Sequence, residues 1–370
     1  MLEWGKDITR NGWLKKGCVV GMILMFFGTS VGSAFSRNVS IDSDFLNRGN
    51  TLYVGGSGPG NYTKIQDAVD NASNEDTVYV YAGLYIESII INHSINLIGE
   101  DKYSTIINGN NTLFCNTIAI KNDNVTVSNF TIQNGTLYGI EIITNKNKIL
   151  NNIINRNTYG IDLEGSFETI KDNLISNNKI INHLQGGMLI NEWVVNTIVS
   201  DNVFQDNPFG IIINSDNNII SYNIFQNMDD TAIALRNFCK NNTISHNLIQ
   251  QNSKGISLED SYENKIEKNT IIDNSQSIII SGFDSNFNTV SYNNIYQNKK
   301  EPRFYGCRIN VWAGNYWNYP RNIPKLIFGT RGIQIFFEIY GCHDFFYFEL
   351  CFPWFQFDWH PAQEPYDIGG

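Results

Sequence analysis

Hydrophobic residues along this chain come in small clusters, each set between asparagines. One unit, N-x-[IV]-x-x-N-x-[IF], recurs as NKILNNII at 147–154, NIISYNIF at 218–225, NTISHNLI at 242–249, NKIEKNTI at 264–271 and NTVSYNNI at 288–295. Its two asparagines stand five apart each time. Eight or nine residues later comes a small residue leading an apolar run. It reads GIDL at 160–163, GMLI at 187–190, GIII at 210–213, AIAL at 232–235, GISL at 255–258 and SIII at 277–280. Successive small residues are 27, 23, 22, 23 and 22 apart.

A period near 22 residues built from three tiny strands predicts a solenoid. Each strand turns only one or two apolar side chains inward, because side chains alternate along a strand. No strand buries that face alone. Stacked at about 4.8 Å per rung, equivalent positions form interior columns of Ile, Leu and Val. From about Thr77 to Asn298 there is room for roughly ten rungs. Leucine-rich repeats have a similar period, but their back segments are helical or extended and Leu-dominated. Here those segments are Asn-rich and β-branched, which disfavours helix. The expected fold is all-β, a right-handed parallel β-helix. Asn is expected at the corners, where it tolerates left-handed φ and can bond both the backbone and the Asn above it. The small residue is expected to serve a tight corner.

The ends differ from the middle. TKIQDAVDNA at 63–72 puts Ile65, Ala68, Val69 and Ala72 on one helical face. A helix there would cap the open end of the stack. The β-helix with its cap is assigned to 51–299. Residues 300–370 leave the repeat and hold Trp312, Trp317, Trp354 and Trp359. They read as an aromatic-rich cap or tail, and 326–357 is too interrupted by charge to span a membrane. The outward positions of the second strand type are Asp162, Leu189, Ile212, Ala234, Ser257 and Ile279. Four of these six are apolar, so part of the tail or a partner chain is expected over them.

The first 36 residues read as an export signal or an N-terminal anchor. Lys15 and Lys16 precede the apolar centre VVGMILMFF at 19–27 and the small-residue stretch SVGSA at 30–34. Cleavage and anchoring both remain open, so membrane association through this segment is an expectation. Residues 37–50 form a linker.

Composition narrows the partners. The chain of 370 residues is 42% hydrophobic and 17% charged, so it is globular. A formal net charge of -10 argues against nucleic acid, which needs a basic footprint. Nine N-x-[ST] sequons suit a secreted or cell-surface glycoprotein. Five cysteines follow the signal, an odd number that leaves at least one unpaired within the chain.

The pieces YTKIQDAVDNASNEDTVYVYAGLYIESIIINHSINLIGED, the GIxL and NxI rungs, and GNYW at 314–317 resemble a known group. It is the right-handed parallel β-helix proteins of the pectin-lyase-like superfamily, archaeal-like surface proteins with NosD-type and carbohydrate-binding or sugar-hydrolase repeats. The resemblance spans about 51–318. It implies the fold. For function it implies several things: a glycan or cell-surface protein as partner, polysaccharide lyase or hydrolase activity with calcium if a lyase, or a copper-delivery accessory role.

Candidate chemistry lies at the variable corner after the second strand type. Aromatics recur there at Phe167, Trp193, Phe238, Tyr262 and Phe283, with Asp216 breaking the series and Arg236 nearby. They suit a platform for sugar rings or a shield for the corner. Asp229 and Asp230 resemble the paired acids of polygalacturonases, and Lys254 stands one rung on, where that family has a His. Adjacent Asp residues also form turns. Copper would need clustered His, Met or Cys, and the histidines here are scattered, so no metal is assigned. The favoured expectation is non-catalytic binding of glycan or a partner along the solenoid edge. A polysaccharide lyase or hydrolase is the alternative, and an accessory to copper-enzyme maturation the second.

Overall fold

The computed structural model describes residues 49–110, 115–165, 168–307, 309–338 and 345–368. The export segment, most of the linker and Phe167 lie outside these described residues.

Three parallel sheets wind around one apolar core. The first stacks the strands led by a small residue, such as Tyr138–Ile142, Tyr159–Leu163, Gly186–Ile190, Ile211–Ile213 and Thr231–Leu235. The second stacks the strands after the first Asn of each unit, such as Ile198–Ser200, Ile219–Ser221 and Thr243–Ser245. The third, with eleven strands, stacks those after the second Asn, such as Val203–Gln205, Ile224–Gln226 and Leu248–Gln250. The core columns follow the register. Ile211 pairs with Ile233, Ile213 with Leu235 and Ile220 with Ile244, and all are fully buried. Phe204 and Phe225 stack inside at 4.8 Å and 7°.

Asparagine performs two separate tasks at the corners. The residue in the left-handed region is the one before the repeat Asn: Asn177, Asp201, Tyr222, His246, Lys268 and Tyr292 at one corner. The repeat Asn itself turns inward. Asn178, Asn202, Asn223, Asn247, Asn269 and Asn293 are at most 2% exposed. Each accepts from the rung before it and donates to the rung after it. Asn223 Oδ1 accepts from the Asn202 backbone N–H (2.9 Å) and Nδ2 (3.0 Å). Its own Nδ2 donates to Val199 O, Ser221 O and Asn247 Oδ1. The expected ladder is present, but the expected left-handed φ at the repeat Asn is not. A short inward amide meets the backbone of the next rung better than it fills a turn.

The small residues have a similar explanation. A Cβ on Gly160 would come within 2.3 Å of Gly187 O, and one on Gly210 within 2.3 Å of Ala232 O. Neither glycine has positive φ. The need is close approach of the next rung, rather than a turn.

Both ends are closed. Helix α1 (Ile65–Asn71) buries Ile65, Ala68, Val69 and, at its C-cap, Ala72 over the first rungs. Glu87 from a neighbouring rung accepts the Ile65 and Gln66 N–H groups at 2.9 and 3.0 Å, which satisfies orphan donors of the first turn. At the other end parallel pairing continues past residue 299, through Arg303–Tyr305, Val311–Ala313 and Tyr316–Trp317. A long antiparallel hairpin, Lys325–Glu338 with Phe345–Asp358, then closes the stack. Asp358 is fully buried and accepts from Gly314 N, Asn315 N, Asn315 Nδ2 and Trp317 Nε1. A carboxylate thus terminates the asparagine ladder, since the last rung has donors and no further Asn to receive them. Phe352, Trp354, Phe355, Phe357 and Trp359 form a chain of ring contacts along this segment.

The tail pairs with the last rungs, Phe304 with Gly329 and Trp312 with Asp358. The outward row of the first sheet varies in exposure along its length. Asp162 and Ala234 are buried among their own neighbours, while Leu189, Ile212, Ser257 and Ile279 are half-buried.

Candidate functional site

The first sheet has the longest strands of the solenoid, and its outward row forms the floor of the site. In register, that row runs Ala119, Glu141, Asp162, Leu189, Ile212, Ala234, Ser257 and Ile279. Apolar residues occupy the middle, and carboxylates stand at one end.

Glu141 and Asp162 are on adjacent rungs, about 4.8 Å apart along the axis. Glu164 follows two residues on. Asp162 is 2% exposed, and Asn191 Nδ2 donates to it at 2.7 Å. Burial, then the charges of Glu164 and Glu141, push its carboxyl up to about 7. Burial also raises Glu141, while Lys121 and a bond from Asn116 act against the rise. Tyr138 and Tyr159 stand beside them with rings 6.0 Å apart. Burial and the nearby acids push the Tyr138 hydroxyl up to about 12. Burial raises both carboxyls, so the set places two proton-retaining acids side by side, a perturbation that marks candidate functional sites.

The sequence pattern places Asp162 at an outward position but does not by itself pair it with another acid. The missed signal is YGIEI at 138–142 against YGIDL at 159–163. Aligned as one rung unit, these put carboxylates at the same outward position.

The sequence-picked residues spread over several environments. Asp230 Oδ1 meets Lys254 Nζ at 2.7 Å and accepts from Thr231 Oγ1 at 3.1 Å. Asp229 is exposed. The Arg236 guanidinium lies 5.4 Å over the Phe209 ring, with Nε 3.8 Å from Glu259. Trp193 and Phe238 project from the corner into solvent, each 57% exposed. Tyr262 bridges to Lys240, whose ammonium lies 5.7 Å from its ring centre. Phe283 packs where a Cβ on Gly332 of the hairpin would stand, within 2.1 Å of its ring. The Asp216 carboxylate accepts the Lys240 N–H at 2.8 Å.

Among the described residues the histidines and methionines do not gather into a copper site. His183 is buried within an inner ladder, where Nδ1 accepts the Asn157 N–H at 3.1 Å, and His246 stacks on Tyr222 at 4.8 Å. Met188 and Met228 are core residues. Among the described residues no group of three or more His, Cys, Asp or Glu is arranged to hold a metal ion. The described cysteines, Cys115, Cys239, Cys307 and Cys351, are free thiols. Among the described residues no helix is long and apolar enough to cross a membrane.

Two family models match parts of the chain. "Right handed beta helix region" covers residues 174–322, and "Periplasmic copper-binding protein (NosD)" covers 69–227. No curated protein matches by sequence. Solved structures match by fold at low identity. The A-module of Azotobacter vinelandii mannuronan C-5 epimerase AlgE4 aligns with TM-score 0.56 and 13% identity, over 74% of this chain and 94% of its own. ORF18 of Geobacillus virus E2 aligns with TM-score 0.55 and 14% identity, over 88% and 70%. XylC in complex with xylose aligns with TM-score 0.51 and 11% identity, over 70% and 75%. The chain is a right-handed parallel β-helix solenoid, with parts similar to the models for the right handed beta helix region and for NosD.

Proposed function

We propose that this is an exported carbohydrate-active protein that seats a neutral polysaccharide along the first sheet and hydrolyses it beside Asp162. The observation that carries the reading is the Glu141–Asp162–Glu164 set, with the Asp162 carboxyl held near 7. Asp162 in its protonated form donates to the glycosidic oxygen. Glu141 stands one rung away, where burial raises its carboxyl and Lys121 opposes the rise, and its ionised form is assigned as the carboxylate. A spacing of one rung, about 4.8 Å, is close to the roughly 5–5.5 Å of retaining glycosidases. An acidic floor repels polyanionic chains, so a neutral glycan is favoured over a uronate. The likeness to a protein solved with xylose supports the same ligand class. Export is supported by the N-terminal basic, apolar and small-residue pattern and by the periplasmic description of the matching family.

Binding without turnover is the second reading, and one observation favours it. Asp162 is nearly closed to solvent at 2% exposure. The test is release of reducing ends from xylan, glucan and mannan, with D162N and E141Q as comparisons. Turnover that falls at least about a hundredfold in D162N supports hydrolysis. Full binding with no new ends in the wild type replaces it by binding alone.

A further inference from the structure

The corners between the first and second sheets differ in length in one informative place. Residues 191–196 and 236–241 each put six residues between the last first-sheet residue and the ladder position. On the rung between them, residues 214–217 put four. The short corner therefore falls back between two longer ones.

The third residue of each long corner is an aromatic, Trp193 or Phe238. Both have left-handed backbones, with φ of 67° and 60°, and both are 57% exposed. Bulky side chains are disfavoured there, and Asn or Gly would be more stable. Tyr222, Phe287 and Tyr292 share the left-handed backbone and exposed ring, so what sets Trp193 and Phe238 apart is their place on either side of the short corner. Gly165 has no side chain where one would meet Trp193 Cβ at 2.7 Å, which leaves the Trp193 backbone room to approach. Between the two aromatics, the short corner presents a polar floor. Asn214 Oδ1 is buried there with no hydrogen-bond partner, and the Asp216 carboxylate lies beside it in the chain.

We propose that Trp193 and Phe238 are the walls, and Asn214 the floor, of a notch that takes one pyranose ring of a neutral polysaccharide. The walls stand two rungs apart, about 9.6 Å, which admits one sugar ring with a contact of about 3.5–4.0 Å on each side. The C–H faces of the ring lie on the aromatics, and the polar residues of the short corner, half-buried Asn214 and Asp216 and exposed Asn217, lie beneath it. The notch is an anchor on the solenoid corner, outside the first-sheet floor. It shares the glycan assignment of the proposed function but needs no hydrolysis.

Calorimetric titration of the full chain with neutral hexasaccharides of xylose, glucose and mannose tests this, with hexagalacturonate as the charged control. Thermal melts accompany each variant. W193N and F238N are expected to weaken binding of the neutral ligand about tenfold each while leaving Tm unchanged or raised, because both relieve backbone strain. N214A is expected to weaken it by a smaller factor. The proposal is overturned if no neutral hexasaccharide binds, if W193N and F238N bind as the wild type does, or if both lower Tm, which would make the rings structural. Binding of a neutral hexasaccharide by the wild type with no reducing ends released leaves the notch standing and overturns the hydrolytic site, whereas turnover with W193N and F238N binding unchanged does the reverse.

Discussion

Two corners of the same solenoid follow different rules. Between the second and third sheets every middle rung spends two residues: one left-handed residue, then one buried Asn, as in Asp201–Asn202, Tyr222–Asn223 and His246–Asn247. Between the first and second sheets the corner is four residues long at 214–217 and six at 236–241. The constant corner carries an amide ladder whose bonds run from rung to rung, so an inserted residue would break bonds above and below it. At the variable corner the ladder Asn, such as Asn218 and Asn242, is held this way, and the number of residues before it changes from rung to rung. Regularity here marks structure, and irregularity marks the surface where ligands are met.

The largest test of this contrast is removal of a ladder amide. N223L should destabilise by about 3–5 kcal/mol, because the Asn202 N–H and the Val199 and Ser221 carbonyls lose a buried partner. Chemical denaturation of N223L beside N214A reads the difference. The corner variant should cost less than about 1 kcal/mol. Equal losses at the two positions would break the comparison.

A second test sharpens it through pH. His183 sits in the ladder before the first sheet, and burial holds it down at about 4. The unfolded chain therefore binds that proton more readily, so His183 removes stability as pH falls from 6.5 toward about 4. Asp162, on the outer floor, is held up at about 7, so the folded state binds its proton more readily. Its contribution is fully present below the unfolded value near 3.8 and is lost as pH rises through about 7. The two slopes oppose each other in the wild type. Melts across this range should show H183N losing stability as pH rises, and D162N losing it as pH falls. Parallel profiles in both variants would show that one of these groups is not in the environment described.

The smallest effect belongs to the outer ion pair. Lys254 and Asp230 meet at 2.7 Å, but their side chains are 40% and 38% exposed. K254A should cost less than about 1 kcal/mol, less still in high salt. A larger loss would mean that the corner after the third sheet is held by charge rather than by its ladder.

Much of this was legible in the residues. The three strand types, the helix at Ile65–Asn71 and the inward Ile211, Ile213, Ile220 and Phe225 follow from periods of two and about 22. The split between a left-handed residue and the buried Asn after it was not legible, because both are often Asn and stand side by side, as in Asn177–Asn178. The acid set was half legible. Asp162 and Glu164 stand close together in the chain, but Glu141 joins them only once the rungs are in register.

What the sequence by itself determined is the repeat, because each rung writes the same inward and corner positions and stacking requires them to match. What only the tertiary structure decided is neighbourhood across rungs. It brought Asp358 under the last Asn of the ladder, 43 residues away in the chain. It aligned Glu141 with Asp162, and it set a short corner between Trp193 and Phe238. Those adjacencies depend on the length of each corner and on side-chain packing in three dimensions, which a one-dimensional period does not encode.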